Sequence, residues 1–333
     1  MTNTFLFYII LRIMAVIRSN EAEKATIEQL VSDFIEYLEI EKTYSPYTIV
    51  QYRHFLTRFL SWLNENYSVV YPEDINHDVV RKYRLFLAHF KDKEGNLLKR
   101  TTQGYHIIVL RAFLRYLIAQ RDLETLAPEK IDLPKQGSRS VSFLNIEQVE
   151  RLLNSPEISD ETGLRDRAIL ETLFSTGLRV SELVRLNRDM VNVKRKEVGV
   201  RGKGNKMRVV FISNEAAHWI ERYVNYRKDN YRPLFIRYSG KKDDRQNGEK
   251  MRLTARSIQN IVTFYARKCN LPVEVTPHTL RHSFATDLLI SGADLRAVQE
   301  MLGHESIRTT QVYTHVTDRH LKEVHETFHR HSR

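Results

Sequence analysis

The chain has 333 residues, 42% of them hydrophobic, which is enough to bury a sizeable core and suggests two domains in a soluble globular protein. A single cysteine, Cys269, excludes an internal disulfide framework and a thiolate metal cage, and fits a reducing cytoplasm as the expected location. The net charge of +11 is unevenly placed, with 18 Lys+Arg against 17 Asp+Glu in residues 1–138 and 34 against 24 in residues 139–333. An excess of that size in the second part suits a polyanionic partner, with solubility as the competing explanation.

Taken in chain order, residues 1–23 form a leader of unassigned status. Its apolar run FLFYIILRIMAVI (Phe5 to Ile17) is short for a span of about 20 residues and carries Arg12. No basic region precedes it, as a secretory signal would need, so a frayed helix and no membrane association are expected, and Met14 is an alternative start. Residues 24–127 read as a small helical domain. IEQLVSDFIEYL places Ile27, Leu30, Val31, Phe34 and Leu38 on one stripe, and SPYTIVQYRHFLTRFLSWL opens with Ser45 as N-cap and Pro46 in the first turn. HDVVRKYRLFLAHF and TTQGYHIIVLRAFLRYLIAQ repeat the helical period on either side of a charged loop around Gly95. The polar faces carry Arg53, Arg58, Arg81, Lys82, Arg84, Arg100, Arg111 and Arg115, which would suit a duplex, although ordinary solvated helix faces look the same.

Residues 128–141, with two prolines, Gly137 and no sustained period, are expected to be an extended linker. In residues 142–333, IEQVERLLNS and LRDRAILETLFSTG read as helices, and VNVKRKEVGVRGKGNKMRVVFIS as short strands joined by the tight turn GKGN, with Arg201 and Lys206 as further candidate contacts to a polyanion. Helical patterns resume in AAHWIERYVNYRK, TARSIQNIVTFYARKC, HTLRHSFATDLLI, DLRAVQEML and SIRTTQVYTHV, and YSGKKDDRQNGEKMR is expected to be a mobile loop. The expected fold class is therefore mainly α with a small antiparallel β-sheet, in two domains.

PHTLRHSFATDL concentrates the chemistry. With Pro277 in the first turn, His278, Arg281 and His282 share a helix face that could grip a metal, grip an anion or cap a surface. A zinc-protease helix needs a glutamate beside the first histidine, where Thr279 stands, so no metal site is expected. GKGNK is no Walker loop, since Glu197 and Gly204 occupy the places of its first glycine and its Ser/Thr; no nucleotide or other cofactor is expected. What remains is an anion clamp with a nucleophile: Arg179 after Gly177 in STGLRVSEL, Lys203 on the strand turn, His278 and Arg281, His304 after the glycine of LGH, and Tyr313 in TTQVYTH.

In this order and with these flanks, the set resembles the tyrosine recombinase family, or phage-type integrases, and its simple Xer-like members in particular. The resemblance covers STGLRVSEL, GKGNK and HTLRHSFATDLLISGADLRAVQEMLGHESIRTTQVYTH, and extends to the YSPYTIVQYRHFL region of the first domain. It implies a two-domain clamp on double-stranded DNA, with a core-binding domain and a catalytic domain. It further implies a metal-free exchange of a phosphodiester for a 3′-phosphotyrosine on Tyr313. In that scheme His278 acts as base, Arg179, Arg281 and His304 stabilise the phosphate, and Lys203 supplies a proton to the departing 5′ oxygen. His282 is secondary. The implied function is site-specific recombination, in chromosome-dimer resolution or in integration and excision of a mobile element. The implied partners are a homo- or hetero-tetramer on two DNA sites, with C-terminal helix exchange through Leu321, Val324 and Phe328, and a partner recombinase or DNA translocase. Relaxation of supercoils in the manner of a type IB topoisomerase, or non-catalytic DNA binding, are the alternatives. With a leader this short, no additional arm-binding domain is expected.

Overall fold

The computed structural model describes residues 25–67, 71–133, 142–202, 207–242 and 245–303. The chain divides into two compact units, Met1–Ser138 and Arg139–Arg333.

The first unit is helical: α1 (Ile27–Ile40), α2 (Pro46–Asn66), α3 (His77–His89) and α4 (Arg100–Arg121). Three starts are fixed by side-chain caps that satisfy otherwise unpaired N–H groups: Thr26 for α1, Ser45 followed by Pro46 for α2, and Asn76 for α3. The stripe Ile27, Leu30, Val31, Phe34 and Leu38 is buried as its spacing predicts, against Leu56, Phe59 and Leu63 of α2 and Phe113, Leu114 and Leu117 of α4. Among the described residues, one histidine is buried in this interior. His106 of α4 is 2% exposed, with Arg58 Nη1 3.1 Å from its Nε2 and the Tyr83 hydroxyl 3.0 Å from its Nδ1. Burial first, and then the Arg58 and His54 charges, push its pKa down to about 3. A neutral ring facing an arginine, which can only donate, must accept at Nε2, so Nδ1–H donates to Tyr83. Arg58 therefore corrects its sequence reading: it is half-buried, bonded to His106 and stacked 4.3 Å from the Phe90 ring centroid, rather than on a solvated face.

Part of the segment read as an extended linker belongs to this unit's packing: Pro128–Lys130 form a 3₁₀ turn and Ile131 is buried in the same core. Prolines start such a turn as readily as they extend a linker, and a single buried isoleucine leaves no periodic trace.

The second unit contains α5 (Ile146–Leu153), α6 (Glu161–Thr176), α7 (Val180–Val184), a three-stranded antiparallel sheet of β1 (Val191–Asn192), β2 (Glu197–Arg201) and β3 (Met207–Phe211), then α8 (Asn214–Tyr226), α9 (Ala255–Lys268), α10 (Pro277–Ile290) and α11 (Leu295–Leu302). The architecture is mainly α with a small antiparallel sheet, as expected. The β2–β3 register pairs Val198 with Val210, Val200 with Arg208 and Arg201 with Met207, which places Arg208 on the core side and leaves Met207, Val209 and Phe211 exposed.

Helix α6 is buried almost all round and takes charges inside with it, each paired: Arg165 with Asp166 at 2.7 Å and Arg167 with Glu171 at 2.8 Å. The segment expected to be a mobile loop instead ends in a 3₁₀ helix, Arg245–Met251. Arg252 anchors it by donating to the carbonyls of Val184 (2.7 Å) and Leu186 (3.0 Å) and to Asn187 Oδ1 (2.7 Å), contacts that reach more than sixty residues back and have no local signature. Among the described residues no helix is long and apolar enough to cross a membrane.

Candidate active site

Two helices end at the same place, and this builds the site. Helix α6 is closed by Gly177, whose backbone is left-handed (φ 58°) and whose N–H donates to Leu173 O. Helix α11 is closed in the same way by Gly303 (φ 64°). The last carbonyls of an α-helix have no partner within it and carry its negative pole, so they attract cations. Two guanidinium groups answer them. Arg281, 4% exposed on α10, donates from Nη1 to Gly177 O (2.6 Å) and from Nη2 to Leu302 O (2.8 Å). Arg179, the N-cap of α7, donates from Nη2 to Gly303 O (3.1 Å).

Neither glycine tolerates a side chain. A Cβ at Gly177 would lie 2.5 Å from the Phe284 ring and 2.9 Å from a Leu302 methyl, and one at Gly303 would lie 2.9 Å from Arg208 Cζ. Both residues thus combine a conformation that favours glycine with a close approach that demands it.

Glu182 completes the arrangement. It occupies the third position of α7 and is 5% exposed, its Oε2 accepting from the Arg179 backbone N–H (2.9 Å) and its Oε1 from Arg179 Nη1 (3.2 Å). Arg208 meets the same carboxylate as a fork, Nη1 to Oε1 at 2.9 Å and Nη2 to Oε2 at 3.1 Å. Burial pushes the Glu182 pKa up, but the bonds from Arg208 and Arg179 outweigh it and hold the group below the usual glutamate range.

His278 lies one turn before Arg281 on α10 and keeps an exposed face. Partial burial, then the charges of Arg281 and Arg179, lower its pKa from 6.5, so its imidazole is neutral at neutral pH. His282 is half-buried, and burial, His278 and Arg281 push it down to about 4. Among the described residues no group of three or more His, Cys, Asp or Glu is placed to hold a metal ion.

Of the six residues singled out in the sequence, the structure brings together Arg179, His278 and Arg281. Lys203, His304 and Tyr313, and also Lys206, lie outside the described residues. Arg201 is exposed at the end of β2. In the first unit, Arg53 and Arg100 are exposed, Arg84 and Arg111 half-exposed, and Arg81, Lys82 and Arg115 sit in surface ion pairs with Asp78, Asp78 and Glu129. Sequence reading missed Glu182 and Arg208. The first had a signal in its capping-box spacing from Arg179, and the second in sharing the inward register of the buried Val210.

The phage integrase family profile matches residues 142–320, and the profile of the phage integrase N-terminal SAM-like domain matches residues 31–121. The chain belongs to the phage integrase family and is a Xer-like tyrosine recombinase. Among this family's members, the tyrosine recombinase XerD of Lacticaseibacillus casei is 38% identical over 300 residues, covering 90% of this chain and 98% of its own length. XerC of Pelotomaculum thermopropionicum is 36% identical, covering 90% and 97%. In fold, the chain is like the XerH recombinase bound to its difH substrate (TM-score 0.66, 22% identity, 88% and 82% covered) and the Tn1549 transposon integrase in complex with transposon right-end DNA (TM-score 0.67, 22% identity, 91% and 99% covered).

A separate groove of about 900 Å³ lies on the second unit, lined by Ile146, Val209, Phe211, Phe284, Leu288 and Met301 among others. None of the three described recombinase candidates, Arg179, His278 and Arg281, lines it.

Proposed function

We propose that this recombinase exchanges DNA strands through a 3′-phosphotyrosine on Tyr313, residues 24–127 serving as core-binding domain and residues 142–333 as catalytic domain. The observation that carries this reading is the placement of Arg179 and Arg281 at one pair of helix ends, with a neutral His278 beside them. Attack on a phosphodiester puts charge on the non-bridging oxygens, and pre-oriented guanidinium groups stabilise that charge without having to reorganise. A phenol of ordinary pKa near 10 is about one part in a thousand ionised at pH 7, so its proton must be taken as it attacks. A neutral His278 is suited to take it. His304 adds a donor to the phosphate and Lys203 protonates the departing 5′ oxygen, so that no alkoxide has to leave.

The DNA segments at which its relatives were crystallised, difH and a transposon end, support double-stranded DNA as the partner here. The relatives named XerC and XerD support a recombinase that works with a partner recombinase, its task being chromosome-dimer resolution or integration and excision of a mobile element. The apolar groove, with Phe211, Phe284 and Leu288 in its wall, suits an amphipathic segment carrying Leu321, Val324 and Phe328, and we assign it to the C-terminal segment of a neighbouring protomer in a tetramer on two DNA sites.

A nicked suicide duplex carrying the recombination site tests the chemistry. Covalent trapping by the wild type, unaffected by EDTA and lost in Tyr313→Phe while DNA binding persists, is the expected result. No trapping by the wild type overturns it.

A further inference from the structure

The arginine assigned to the phosphate does not stand alone. Glu182 receives four donors, two from Arg179 and two from Arg208, on a carboxylate that is almost wholly buried. Among the described residues these two arginines are also the charged groups that face it, one from its own helix and one from β3.

Arg208 is an unexpected residue to find there. On β3, Met207, Val209 and Phe211 are exposed and Val210 is buried, and the cation takes the other inward register, opposite Val200. Its guanidinium is spent on the carboxylate, its Nε being buried without a hydrogen-bond partner among the described residues. It also lies so close to Gly303 that no Cβ fits between them, and Gly303 immediately precedes His304 in the chain and accepts from Arg179.

We propose that Arg208 is a positioning residue for strand cleavage: it holds Glu182 in two-pronged contact, and through Glu182 it fixes the guanidinium of Arg179 against the end of α11. The inference rests on the recombinase reading above. Its physical core is a charge count. Two guanidiniums around one carboxylate leave a net positive charge directed at a phosphate, whereas Arg179 and Glu182 alone would neutralise each other. Arg208 also keeps Glu182 ionised. Without it burial is less opposed, the carboxyl gains a proton at higher pH, and a neutral acid no longer holds Arg179.

The test is single-turnover cleavage of the nicked suicide duplex by the full-length chain. R208M is expected to cleave about 10²-fold more slowly, the usual scale for losing one stabilising donor, with duplex affinity unchanged. R208K keeps the charge but not the planar fork, and is expected to recover about a tenth of the wild-type rate. The sign of the pH effect follows from Glu182: in R208M its pKa rises, so cleavage falls away at higher pH on acidification than in the wild type. A residue acting through Glu182 also predicts non-additivity, and the E182Q/R208M double variant should be no slower than E182Q alone.

Wild-type speed in R208M overturns the proposal. So does an unchanged acid limb, or a double variant whose losses multiply, which would mark a merely structural arginine. Should R208M not fold, R208K and E182Q carry the same comparison, and equal rates and pH profiles in R208K and wild type then count against it. Failure of the wild type to trap DNA is a distinct result that removes the recombinase reading and this inference with it.

Discussion

The two units solve the problem of a polar interior in opposite ways. Among the described residues, the first unit buries no carboxylate, lysine or arginine within its core and one histidine, His106, which stays neutral between Arg58 and Tyr83. The second buries Arg165, Asp166, Arg167, Glu171, Glu182, Arg227 and Arg281, and gives each an ionic or carbonyl partner. A neutral interior needs only shape. A charged one holds guanidiniums at fixed places near the surface, which is what a phosphate-binding site requires, and each such charge makes the fold more sensitive to loss of a partner.

That contrast can be broken most forcefully at Arg227. Its side chain is fully buried, at 2.5 Å from Asp229 and donating to Pro233 O (2.9 Å) and Leu234 O (2.7 Å). Arg227→Ala should cost about 2–6 kcal/mol in urea unfolding of the second unit, about 1–3 for each of the two carbonyls left without its donor, while Asp229 keeps Arg188 and the Tyr231 N–H. Gly177→Ala should cost roughly 1–3 kcal/mol, since the methyl meets the Phe284 ring in a left-handed backbone, and it should slow cleavage by shifting the carbonyl that Arg281 grips.

In the first unit the lever is acid. The folded pKa of His106 is depressed, so folding binds fewer protons than the unfolded chain between pH 6.5 and about 3. Stability is full above pH 6.5 and falls as pH drops through that window, by at most about 1.4 kcal/mol per pH unit. Hydrogen exchange of α2 to α4 measured at pH 7 and pH 5 should register the loss, and His106→Gln should flatten it. The smallest effect is expected at the surface pair of Arg81 and Asp78. Arg81→Ala should leave the melting temperature unchanged, yet reduce the salt dependence of duplex binding by about one counterion if that helix face meets DNA.

The contrast also explains what could be read from the residues alone. Helices of the first unit were legible because an apolar stripe and a capping serine leave local marks, as in Ile27 to Leu38 and Ser45–Pro46. Arg179, His278 and Arg281 were legible as a set through the STGLR and HTLRH blocks, and Gly177 through its place after α6. The partners were not. Arg208 reaches Glu182 across 26 residues, and Arg252 reaches Val184 across 68, so their roles appear only once the chain has closed on itself. Arg58 misled for a related reason: its position on α2 is polar in period, but it turns inward to a histidine 48 residues away.

The chain distributes its two indoles one to each unit. Trp62 packs against the rings of Phe59, Tyr67, Tyr83 and Phe86, whereas Trp219 lies 4.9 Å from the guanidinium of Arg167 and 5.2 Å from that of Arg222. Intrinsic fluorescence is therefore a two-channel reporter: replacing either indole by phenylalanine leaves an optical signal from the other half, and the pair of variants can time how each half responds when a duplex arrives.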